Sequence, residues 1–68
     1  MGRDAVRRYE AAFLELSEED QLGINLRLEL GLSYAEIAEA LGKPSANAAR
    51  MAVGRALVDL AERMRGRD

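Results

Sequence analysis

The chain has 68 residues, 49% of them hydrophobic and 32% charged, with a single proline. This composition suits one small folded core and not a disordered segment. Cysteine and histidine are both absent, which removes disulfides, thiolate chemistry, the usual structural zinc sites and imidazole acid–base catalysis, and with them most enzyme mechanisms. No apolar run approaches the roughly 20 residues of a membrane span, and charges stand where a signal peptide would be apolar. The chain therefore reads as a soluble, cytoplasmic, non-catalytic domain with no cofactor, no metal site and no membrane partner. The formal net charge of −2 conceals an asymmetry: residues 1–40 hold four basic and nine acidic side chains, whereas residues 41–68 hold six basic and three acidic. The positive half is the C-terminal half.

Val6, Tyr9, Phe13 and Leu16 recur at helical spacing and predict a first helix over about 4–16, with Arg7, Arg8, Glu10 and Glu15 turned away. Ser17 followed by Glu18, Glu19 and Asp20 is a helix start, the hydroxyl capping free amides and the acids matching the positive end of the dipole. The next segment is ambiguous by periodicity, because Leu22, Ile24, Leu26, Leu28 and Leu30 alternate with Gly23, Asn25, Arg27 and Glu29 as in a half-buried strand. Helix over about 18–30 is preferred, since a cap precedes it, leucine favours helix and no partner strand exists to satisfy its backbone. On that helix Leu22, Leu26 and Leu30 line one side and Ile24 and Leu28 another. The segment is thus expected to be the central helix or to take part in a dimer contact.

Gly31 can end this helix, and Ser33 with Glu36 three residues on forms a capping box for a third helix over about 33–41, with Tyr34, Ile37, Ala38 and Leu41 on its buried face. Gly42, Lys43 and Pro44 stop it, and Ser45 caps a fourth helix over about 45–64. There Ala49, Ala52, Val53, Ala56, Leu57, Leu60 and Met64 form the apolar stripe, and the tail at 65–68 is expected to fray. The fold expected is a single all-α domain over residues 1–68, four helices containing a helix-turn-helix.

Two helices joined by a glycine-containing turn, the second capped by serine and carrying basic residues, describe that motif. The fourth helix would be the reading helix, presenting Asn47, Arg50, Met51, Gly54 and Val58, with Arg55 at the flank. Asparagine pairs bidentately with adenine and arginine with guanine, and an apolar tip such as Met51 meets a thymine methyl. Small residues at Ala46, Ala48 and Gly54 permit close approach. Lys43 and Arg55 suit phosphate contacts, and Ser45 begins the helix at the same edge. Plainer readings stand beside these: Arg50 and Arg55 as solvated surface residues, Asn47 as a local hydrogen-bonder at a helix start, and Met51 with Val58 as isolated exposed side chains or a protein contact.

The segment LGLSYAEIAEALG at 30–42 closely resembles region 4 of bacterial sigma-70 type factors, particularly the extracytoplasmic-function group. The run ARMAVGRAL at 49–57 and the acidic helix start are similar too, so the resemblance covers about residues 9 to 64. It implies recognition of a promoter minus-35 element in double-stranded DNA by the second helix of the motif, and contact with the beta flap of RNA polymerase core. On this resemblance Arg50 falls where a basic base-contacting residue usually sits, and Arg55 matches the arginine near the middle of that helix. Ala52 departs from the pattern where many members have a second arginine. Gly54 replaces a common serine at a cost of about 1 kcal/mol of helix stability relative to alanine, and Gly23 is similarly unfavourable. Weak DNA affinity follows as an expectation. The 68 residues hold no counterpart of the family's domain for core enzyme and the minus-10 element, so the expectation is an excised or free-standing region 4, or a small regulator built on the same motif. The rival reading is a protein-interaction module, in which the leucine-rich second helix and the Met51/Val58 stripe bind polymerase, an anti-sigma protein or a second copy of the chain as a homodimer.

Overall fold

The computed structural model describes residues Gly2–Gly66. They form four helices, α1 (Gly2–Glu15), α2 (Glu18–Leu28), α3 (Tyr34–Leu41) and α4 (Ala46–Arg65), and no strand occurs among them. The alternating leucine segment is therefore helical. The expected fraying of the tail bears partly on residues 67–68, which lie outside the described residues; α4 itself runs to Arg65.

Local chemistry sets most of the boundaries. Ser17 Oγ accepts from the Asp20 amide at 3.1 Å. At α3 the capping box is complete: Ser33 Oγ accepts from the Glu36 amide at 3.1 Å, and the Ser33 amide donates to Glu36 Oε1 at 2.8 Å. These bonds satisfy amides that a helix start leaves free. The backbone N–H and hydroxyl of Ser33 hold the Glu36 carboxyl below the usual carboxylate range. Gly42, at φ 71°, lets the chain turn back so that the Lys43 amide reaches Ala38 O at 2.8 Å, closing the end of α3. Ser45 Oγ then accepts from the Ala48 amide at 3.1 Å and opens α4.

Every other helix packs against α4, so α4 and not α2 is the central element. Its inward stripe of Ala49, Val53, Ala56 and Leu60 is buried. Around it lie two apolar clusters. One joins Ile37, Ala38, Ala49 and Val53 across α3 and α4; the other joins Ala12, Leu16, Ile24, Ala56 and Leu60 across α1, α2 and α4. Leu57 packs against both, making the interior continuous. Among the described residues, alanine at four of the nine buried hydrophobic positions brings the helices close but limits the apolar area removed from water.

Two expectations about buried faces are corrected. Val6 is 55% exposed, because the buried stripe of α1 starts only at Tyr9 and continues through Ala12, Phe13 and Leu16. Residues 2–8 are all exposed. In α2 the buried positions are Gly23 and Ile24, with Leu26 half-buried, while Leu22, Leu28 and Leu30 are 45%, 60% and 67% exposed. A short helix touching neighbours along one side can bury only one stripe, and Ile24 at 0% exposure defines it. The α2 helix also stops at Leu28 and not at Leu30. Gly31 at φ 67° reverses the chain so that the Leu32 amide bonds to Leu26 O at 3.0 Å. Arg27 fixes this reversal, donating from Nη1 to Leu32 O at 2.9 Å with its guanidinium 4.3 Å from the centre of the Tyr34 ring.

Gly23 lies in the seam of α2 against α3 and α4. A methyl at its Cα would stand 3.5 Å from both Leu41 Cδ1 and Val53 Cγ2, ordinary contact distances. The packing therefore admits alanine there.

Candidate nucleic-acid interface

α3, the turn at Gly42-Lys43-Pro44 and α4 form a helix-turn-helix. Burial of Ala49, Val53, Ala56 and Leu60 fixes the rotation of α4 about its axis, and the opposite side is thereby committed to solvent. Asn47, Arg50, Met51, Gly54, Arg55 and Val58 are all exposed there, so the reading face expected from the sequence is a physical surface. Met51 is 49% exposed and Val58 59%.

The polar groups of this face are linked at its N-terminal end. Arg50 Nη2 donates to Asn47 Oδ1 at 2.8 Å, and Asn47 Nδ2 points to Met51 Sδ at 3.8 Å. Asn47 is thus a local hydrogen-bonder, through Arg50, as well as an exposed amide. The Ser45 hydroxyl accepts from the Ala48 amide and keeps its own O–H available to donate. Arg55 makes no ion pair among the described residues. Beyond Gly54 the face changes character, because Val58, Asp59 and Glu62 line the far end of the shallow depression that begins at Arg50 and Met51. Asp59 is engaged by Arg63, whose Nε lies 2.9 Å from Asp59 Oδ1 and whose Nη1 lies 3.1 Å from Glu15 Oε1 on α1. Asn47, Arg50 and Arg55 stand in the first half of α4, whereas the second half mixes the carboxylates Asp59 and Glu62 with Arg63 and Arg65.

Lys43 stands on the turn at the same edge, but it is not a free cation. Its Nζ is 3.0 Å from Glu19 Oε2 at the start of α2, and only 26% of its side chain is exposed. The partner stands 24 residues away in sequence, and only the fold brings the two together. Sequence periodicity also gave no sign of Leu14, which is 72% exposed near the end of α1 and whose carbonyl receives Gln21 Nε2 at 3.5 Å.

A four-helix domain with a capped helix-turn-helix and an exposed, partly basic second helix is of the DNA-binding transcription factor class. The chain belongs to the family of sigma-70 region 4 domains: residues 7–60 match the model described as "Sigma-70, region 4". That span includes most of α1, all of α2 and α3, and α4 as far as Leu60. No curated protein and no solved structure gives a match. Among the described residues no helix is long and apolar enough to cross a membrane.

Proposed function

We propose that this chain is a cytoplasmic transcription-initiation module of the extracytoplasmic-function type, which recognises a minus-35-like promoter element with α4 and contacts RNA polymerase core. The reading rests chiefly on one observation. Asn47, Arg50, Met51 and Arg55 share the exposed side of the helix that follows a glycine-containing turn, opposite a buried stripe. Arg50 and Asn47 offer guanidinium and amide groups to base edges, Met51 offers an apolar tip to a thymine methyl, and Arg55 and Ser45 supply phosphate contacts. Asp59 is held by Arg63 and Glu62 lies beyond it, and the proposed contacts with the duplex fall on the first three turns of α4, where Asn47, Arg50, Met51 and Arg55 stand. Few cations face the groove, so affinity is modest and falls steeply with salt.

Polymerase contact is supported by the other exposed apolar groups. Leu14 on α1 and Leu22, Leu28 and Leu30 on or just after α2 are exposed on elements other than α4, and a domain that serves two partners at once needs two surfaces. The same leucines favour the second reading, a protein-interaction module for the polymerase flap, an anti-sigma protein or a second copy of the chain, with little DNA binding of its own. Fluorescence anisotropy with promoter-like and scrambled duplexes at low and moderate salt separates the two. Sequence-dependent, salt-sensitive binding supports the DNA reading. A flat titration for every duplex, with retention on immobilised polymerase flap, rejects it in favour of the second.

A further inference from the structure

The acidic start of α2 borders the helix-turn-helix. Glu19 and Asp20 line the crevice between α2, Leu41 at the end of α3, and Ala52, Val53 and Ala56 on the flank of α4. From this position the Glu19 carboxylate reaches over the turn to Lys43. Pro44 and the reversal at Gly42 restrict the backbone on which Lys43 sits, and the Lys43 amide is itself bonded to Ala38 O. The lysine is therefore presented from a rigid corner with its ammonium already held by a carboxylate.

We infer that Glu19 acts as an internal stand-in for phosphate: it neutralises Lys43 and lowers the affinity of the domain for any duplex. This inference rests on the DNA-binding reading above and deepens it. In the native chain the turn offers the backbone no net positive charge, since engagement of Lys43 by a phosphate must first break the pair and then leaves Glu19 facing the polyanion. Because a phosphate contact carries no base information, Glu19 affects all sequences alike and leaves discrimination to α4. Glu19 is thus a positioning residue that acts through Lys43.

The test uses the full 68-residue chain and a short fluorescein-labelled mixed-sequence duplex, titrated at several salt concentrations by anisotropy, with circular dichroism to confirm unchanged helix content. Glu19→Gln keeps the shape and removes the charge; it is expected to tighten binding about two- to fivefold, the range of an exposed ion pair. It should also steepen the dependence of log affinity on log salt by about 0.9, one additional phosphate contact. Adding Lys43→Ala to Glu19→Gln should abolish both gains. Native binding with Glu19→Gln indistinguishable from it overturns this inference and leaves the DNA reading intact. A gain that survives Lys43→Ala also overturns it, since Glu19 would then act only as a general repulsive charge. Absence of binding by the native chain and by Glu19→Gln overturns both.

Discussion

The helix-turn-helix and the first two turns of α1 are both regular helix, yet they are secured by different means. Between Ser33 and Ala49 the chain has a complete capping box, a left-handed glycine, a second serine cap and the buried side chains of Ile37, Ala38 and Ala49. Before Tyr9, α1 has no buried side chain, and Val6 projects into solvent. The contrast shows where a small chain concentrates its limited means of fixing geometry. If α4 reads a duplex as proposed, it must hold guanidinium and amide groups to fractions of an ångström, and the segment that sets its angle is the one most heavily fixed, whereas the start of α1 buries no side chain.

Paired truncations give the largest test of this difference. Ile37→Ala should destabilise the domain by about 2–5 kcal/mol in urea unfolding, against a change within about 0.5 kcal/mol for Val6→Ala. Similar losses at both sites would erase the distinction. Glycines should differ in sign. Gly42→Ala forces an L side chain to adopt φ 71° and should cost about 1–2 kcal/mol, while Gly23→Ala, with a methyl at contact distance from Leu41 and Val53, should raise stability by up to about 1 kcal/mol. A loss at Gly23 would mean that the α2 seam is tighter than its geometry indicates. Ser45→Ala should cost about 1 kcal/mol by removing the cap of α4, seen as a lower thermal midpoint.

The smallest expected effect is a pH dependence. The carboxyl of Glu36 has a lowered pKa through its bonds to Ser33, so its folded-state pKa lies below the unfolded value. Its contribution is whole above the unfolded value and disappears as pH falls through the lowered one. Urea midpoints followed from neutrality to about pH 3 should drop less steeply for Glu36→Gln than for the native chain; parallel curves would show that the box contributes through neutral hydrogen bonds alone.

How much of this was legible in the sequence follows from the range of each interaction. Ser17, Ser33, Glu36, Gly42 and Ser45 act on amides and carbonyls a few residues away, so their roles could be read directly and all appear in the structure. The outward face of α4 was legible because one apolar stripe of α4 meets all three partners. The alternating leucines of α2 allowed two buried faces, and only the placement of α1 and α4 selects Ile24 and leaves Leu22 and Leu28 in solvent. Val6 fits the periodicity of α1 but lies beyond the packed part of that helix, and periodicity carries no information on where a neighbour stops. The pair of Lys43 with Glu19 was invisible for a related reason, since 24 residues separate them and no local pattern selects that carboxylate over Glu18 or Asp20.

In the proposed function the exposed side of α4 reads a duplex, with Arg50 as a base-contacting residue. The most direct measurement is the ratio of affinities for a promoter-like and a scrambled duplex, compared between the native chain and Arg50→Ala at one fixed salt concentration. Loss of a bidentate arginine should reduce that ratio by the equivalent of about 1–3 kcal/mol while leaving the scrambled duplex nearly unaffected. An unchanged ratio, with Arg50→Ala fully folded and still bound to both duplexes, would contradict the account.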